Sequence, residues 1–141
     1  MSYATLAQFK SWFAGEGKRV SDYLQSLDSA TQDARLTELL DEASARIDAA
    51  AALGGYGTPV DTTTGALATQ RAALLAKLCI DLALEGLTPG VPIVPEGFRQ
   101  ARSRAQEFLD GLAGTEYFDH YGRRVRGGFK TSLPGLTRSV G

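Results

Sequence analysis

Apolar residues recur at helical spacing along most of this chain and lose that rhythm toward its end. In "TLAQFKSWF", Leu6, Phe9, Trp12 and Phe13 fall on one face, the mark of a helix with one side turned to a core. Thr5, with Gln8 three residues later, makes a capping-box pattern in which each side chain satisfies an amide donor that the helix leaves free. Gly15 and Gly17 close this first helix. A second begins near "SATQ", where Ser29 and Gln32 repeat the pattern, and runs to Gly54 and Gly55. Along it Leu36, Leu40, Ala43, Ile47 and Ala50 trace a stripe at spacings of four and three. Glu38, Asp41, Glu42 and Asp48 lie largely off that stripe.

"GGYGTPVDTTTG" reads as a loop from its Gly, Pro and Thr content. The third helix, "ALATQRAALLAKLCIDLALEGL", presents Leu67, Leu74, Leu75, Leu78, Cys79 and Leu82. So wide a stripe predicts the most buried element. "TPGVPIVP" is a linker whose Pro95 suits the first turn of a fourth helix, where a missing N–H is no loss. There Phe98, Ala101, Ala105, Phe108 and Leu112 step by threes and fours, and Gly111 and Gly114 loosen the end. The pattern predicts an all-α fold: a small antiparallel helical bundle of about four helices, the short first one packed on three longer ones. It places a helical domain over residues 1–114 and a Gly-rich basic extended arm over residues 115–141.

That arm is too broken by Gly and Pro for a core helix, yet it holds Tyr117, Phe118, Tyr121 and Phe129. Disordered segments are normally poor in aromatics. The composition predicts an arm that orders against a partner, with Phe129, Leu133 and Leu136 as apolar anchors beside Tyr117 and Tyr121; the plainer alternative is that "EYFDHY" caps the bundle and the rest is a frayed terminus. Arg123, Arg124, Arg126 and Lys130 then steer the approach. Such an arm is dispensable to the body, so removing residues 122–141 should leave melting intact. Five basic residues against two acidic ones put residues 115–141 at +3, and the remainder at −4 within a net charge of −1. The division suggests two surfaces with different partners.

The length of 141 residues and 43% hydrophobic content allow one domain with a core of its own. A single cysteine and a single histidine exclude an internal disulfide, a multi-cysteine metal site and a zinc site built on histidines, and leave Ser-His-Asp chemistry without spare parts. Cys79 reads as a small core hydrophobe and His120 as a polar arm residue. "GGYG" runs into Thr58 and Pro59 without the lysine of a phosphate loop. The carboxylate pairs Asp41 with Glu42 and Asp81 with Glu85 read as solvated helix faces. No catalytic residue, metal ligand set or cofactor site is expected, and no enzyme. No run of about 18 apolar residues spans a membrane, and the first residues lack a secretory leader pattern, so a cytoplasmic setting is expected.

Three stretches carry a resemblance: "MSYATLAQFKSWF", "LTELLDEASARIDAAAALGGYGTPV" and "PEGFRQARSRAQEFLDGLAGT". Together they resemble the small head–tail adaptor (connector) proteins of tailed bacteriophages. The middle stretch looks like that family's acidic helix ending in an Ala-Ser-x-x-Ile-Asp run, then a Gly-Tyr-x-x-Pro loop. Here these are Ala43, Ser44, Ile47 and Asp48, followed by Tyr56 and Pro59. The resemblance covers roughly residues 1–115; the Thr-rich middle loop and the long basic arm depart from the family pattern.

The resemblance implies a homo-oligomeric ring, usually twelvefold, below the portal protein of a DNA-filled capsid. Such a ring extends the DNA channel and carries a stopper or tail-completion protein, at the virion neck of a phage or a gene transfer agent. Double-stranded DNA would pass without specific binding, since a basic lining would hold phosphates through counterion release. On that reading Glu38, Asp41, Glu42 and Asp48 belong to the lumen or to contacts between subunits. The alternative is a small helical nucleic-acid-binding protein that grips with "GRRVRGGF" and stacks Phe129 on bases.

Overall fold

The computed structural model describes residues 2–15, 28–87, 96–114, 116–118, 124–126 and 131–138. Among them lie four helices: α1 (Leu6–Gly15), α2 (Ser29–Leu53), α3 (Ala68–Glu85) and α4 (Glu96–Ala113). Helices α2, α3 and α4 pack on one another and α1 lies on α2. The protein is a small all-α bundle. Two three-residue strands follow, β1 (Glu116–Phe118) and β2 (Arg124–Arg126). They pair antiparallel, with Tyr117 opposite Val125, an element the arm's composition does not suggest.

Local chemistry starts the helices. The Thr5 N–H donates to Gln8 Oε1 at 2.8 Å and the Gln8 N–H to Thr5 Oγ1 at 3.1 Å, so the first capping box forms as expected. For α2 the cap is Asp28 rather than Ser29: its carboxylate accepts from the Thr31 N–H at 2.7 Å. A carboxylate here satisfies a free amide donor and faces the positive end of the helix dipole, and these bonds hold the Asp28 pKa below its usual value. Replacing Thr5 by alanine should cost about 1 kcal/mol, measured as a lower urea midpoint with unchanged helicity at zero denaturant.

The stripe of α2 is buried throughout, from Leu36 and Leu40 through Ala43 and Ile47 to Ala50. Phe9 and Phe13 of α1 are fully buried on it, their rings 5.3 Å apart. Trp12 meets Phe13 edge-on at 5.2 Å. Helix α3 is the most buried, as its wide stripe predicts, although Leu67 at its N-cap is 37% exposed. In α4 Ala101, Ala105, Leu109 and Leu112 enter the core and Phe108 packs at its edge. Pro95 lies outside the described residues.

Among the described residues three polar side chains are buried: Ser44, Arg71 and Asp81. Gly111 does not loosen α4. A Cβ there would press on the Thr131 side chain, so the missing side chain is what lets the segment beyond the hairpin lie against the helix. That segment changes the domain division: the body that closes the core includes residues from 131–138, so it does not end at 114.

Candidate interaction surfaces

Leu133 is 1% exposed and belongs to the hydrophobic core. It sits one residue before Pro134, in a turn that the Leu136 N–H closes on the Leu133 carbonyl at 3.2 Å. Its own N–H donates to the Tyr56 hydroxyl at 3.1 Å. Leu136 packs half-buried on the core. Residues 131–138 therefore form a strap across the bundle.

Two arginines hold the strap, Arg138 from within it and Arg71 from α3. Arg138 donates to the carbonyls of Gly54 and Leu112, both at 2.8 Å, and to that of Thr131. Its guanidinium lies over the Tyr56 ring, 4.8 Å from the centroid, where the ring's negative face attracts a cation. Arg71, 1% exposed, reaches the strap from α3. It donates to the carbonyls of Asp61 at 2.8 Å, Pro134 at 2.9 Å, and Thr64. One side chain thus ties α3 to both the middle loop and the strap. Gly54 is required at the crossing, because a Cβ there would overlap the Leu112 carbonyl oxygen and crowd Arg138.

This arrangement corrects the reading of Leu133 and Leu136 as anchors for a partner. In the single chain both belong to the body, because a leucine in the core gains more than one left in water. It also reverses the expected effect of removing residues 122–141. Tyr121, Arg123, Phe129 and Lys130 lie outside the described residues, as does His120. Tyr117, Arg124 and Arg126 are placed in the paired strands by their backbone.

The acidic residues of α2 divide. Asp41 and Glu42 are exposed, and Glu38 is exposed while pairing with Arg35 at 2.8 Å. Exposed pairs of this kind contribute little to stability. Asp48 does not belong with them. Its carboxylate accepts from the Tyr3 hydroxyl, and that hydroxyl in turn accepts from the Val60 N–H at 2.7 Å. Asp48 thus braces the first residues and the middle loop within the protomer. Burial, with the Asp48 bond, pushes the Tyr3 phenol well above its usual pKa and keeps it a donor.

Ser44 extends the same joint. It accepts from the Tyr3 N–H at 3.0 Å and lies 3.3 Å from the Cys79 sulfur. Cys79 is fully buried, and its thiol donates to the Leu40 carbonyl at 3.4 Å. It is a core residue, as its place on the stripe suggests.

Asp81, expected on a solvated face, is 7% exposed between α3 and α4. It lines a groove of about 140 Å³ with Leu74, Lys77, Leu78, Arg104 and Phe108. Burial raises its pKa from 3.8 to about 6, against the opposing pull of Lys77 and Arg104. A folded-state pKa above the ordinary value means that the fold holds this proton more tightly than the unfolded chain. The resulting stabilisation is present below about pH 4 and is lost as pH rises through about 6. Asp81→Asn should therefore raise Tm at pH 7.5 relative to the parent and leave it nearly unchanged at pH 4, checked by paired melts.

The exposed Asp61 is held at about pKa 2 by bonds from the Thr63 and Thr64 amides, with the Thr63 N–H donating at 2.9 Å. It fixes the loop whose carbonyls accept from Arg71. No group of three or more His, Cys, Asp or Glu that could hold a metal ion occurs among the described residues. No helix among them is long and apolar enough to cross a membrane.

Sequence pattern missed Arg71, Asp81 and Arg138. A lone arginine within "ATQRAALLAKL" breaks an otherwise apolar and small-residue run, and that break was the available signal. Compared with family models, curated proteins and solved structures, the chain matches none.

Proposed function

We propose that this chain is a structural subunit of a head–tail connector. In this role it forms a ring below a portal protein, extends the DNA channel and carries a stopper or tail-completion protein at the virion neck of a phage or gene transfer agent. The work is assembly rather than catalysis.

The observation that carries the reading is where the family-like residues fall. Ser44 and Asp48 bind Tyr3, Ile47 is fully buried, and Tyr56 receives the Leu133 amide and the Arg138 guanidinium. The positions that resemble the connector pattern thus build a joint among the first residues, α2, the middle loop and the strap. They hold an architecture together and leave outer surfaces for neighbours. The exposed Glu38, Asp41 and Glu42 suit a channel wall or a contact between subunits, because carboxylates do not retain DNA phosphates. In a ring each modest contact is reinforced by the others.

The test is incorporation. The purified chain, added to DNA-filled heads that carry a portal but no neck, should co-sediment with them and restore tail attachment. Heads that ignore it, under conditions where a known connector binds, would remove this reading. A gel-shift series separates the nucleic-acid alternative: a connector gives no discrete shift at physiological salt. Tight binding with a steep salt slope would favour a basic grip on phosphates instead.

A further inference from the structure

Resting on the ring reading above, we propose that neighbouring copies of this chain dock face to groove. The outer edge of α2 from one copy, between Arg35 and Glu42, lies in the groove between α3 and α4 of the next.

The groove carries charges that its own chain leaves unmatched. Asp81 is 7% exposed and lines it, yet among the described residues no hydrogen bond or ion pair reaches its carboxylate. Buried polar groups are nearly always bonded, and a donor brought by a partner would satisfy this one. Lys77 from α3 and Arg104 from α4 stand beside it, both exposed and without an ion pair among the described residues. Leu74 and Phe108, each half-buried, give the floor an apolar strip. The groove thus fits a slim support that carries one cation followed by anions.

Helix α2 of a second copy carries that set. Arg35 and Glu38 pair at 2.8 Å one turn apart, and Glu42 is exposed a turn further on. On the groove wall Asp81 and Lys77 are likewise one turn apart. Arg35 to Glu42 and Asp81 to Leu74 are both separations of seven residues, about 10.5 Å along a helix axis. Laid antiparallel to α3, the edge of α2 sets Arg35 on Asp81 and brings Glu38 and Glu42 beside Lys77 and Arg104. Ala45 and Ala49 are exposed on the same side of α2 and are short enough for a close helix approach.

The two surfaces are also well placed for repetition. Helices α2, α3 and α4 each pack on the other two, so the outward face of α2 and the α3–α4 groove look out on opposite sides of one body. A copy with the two halves of one contact on opposite sides makes a heterologous interface, which gives a ring when the rotation closes.

The experiment is a charge exchange, read by sedimentation and native mass spectrometry. E38K/E42K and K77E/R104E should each weaken self-association of the full chain by at least roughly tenfold, since like charges then face each other. Mixed in equal amounts, the two variants should assemble in alternation, and both exchanges in one chain should restore assembly. Rings that ignore the exchange overturn this contact and leave the ring reading standing. Open chains or dimers that obey it uphold the contact and sink the ring. A parent that never associates, alone or on portal-bearing heads, sinks both.

Should K77E/R104E fail to fold, a disulfide decides. Positions 38 and 77 face opposite sides of one body, so in the E38C/K77C chain a bond between them forms only across copies. Cys79 is fully buried and does not compete. Oxidation should give a ladder of chains bonded 38 to 77. An absent ladder, or one bonded 38 to 38 and 77 to 77, overturns the contact.

Discussion

Replacing Arg71 by methionine should lower the unfolding free energy by about 3–5 kcal/mol, because it removes a buried, charged donor from three part-buried hydrogen bonds. The aliphatic stem stays, so the loss reports the guanidinium. Its three acceptors come from the middle loop, at Asp61 and Thr64, and from the strap, at Pro134. With a domain's net stability near 5–15 kcal/mol, the urea midpoint should fall by more than about 1 M. Arg71→Lys should recover only part of this, since an ammonium cannot address three carbonyls in a planar fork. A methionine variant within 1 kcal/mol of the parent would show that the guanidinium does not bridge loop and strap.

Leu133→Ala should cost about 3 kcal/mol, the usual scale for a leucine deleted from a closed core. For a domain of this size that is on the order of 10 °C in Tm. Removing residues 131–141 should lower Tm as well, since it also strips Arg138 from Gly54, Leu112 and Tyr56. The chain-ordering entropy that truncation releases offsets part of that loss, so the direction is the firm quantity. A truncated chain that melts with the parent would return the strap to the status of a dispensable arm.

Much of the bundle was legible in the pattern of residues. Leu36, Leu40, Ala43, Ile47 and Ala50 announced α2 because a stripe at spacings of three and four has few other uses. Thr5 and Gln8 announced the start of α1 because their partners are three residues away. The α2 cap slipped by one, from Ser29 to Asp28, since both residue types cap well and only the backbone conformation at the boundary chooses between them.

The interaction surface was less legible. Aromatic and basic content sets the arm apart from the body, but does not say that residues 131–138 close the core. Leu133 stands alone between Ser132 and Pro134 with no periodic companions, so nothing local distinguishes a core residue from a docking anchor. Asp48 looked like one more carboxylate on an acidic helix until Tyr3, from 45 positions away, was seen to bind it. Asp81 looked solvated because its sequence neighbours do not reveal that α4 covers it.

What the sequence determined by itself, then, are the helices, their caps and their buried faces, because those follow from contacts three and four residues apart. Tertiary structure alone decided that Arg71 reaches the strap at Pro134, that Arg138 ties the strap to Gly54 and Leu112, and that Leu133 fills the core. Their partners lie as far as 63 and 84 residues away. Backbone carbonyls, present at every position, leave no mark in a sequence to say which of them a guanidinium will find.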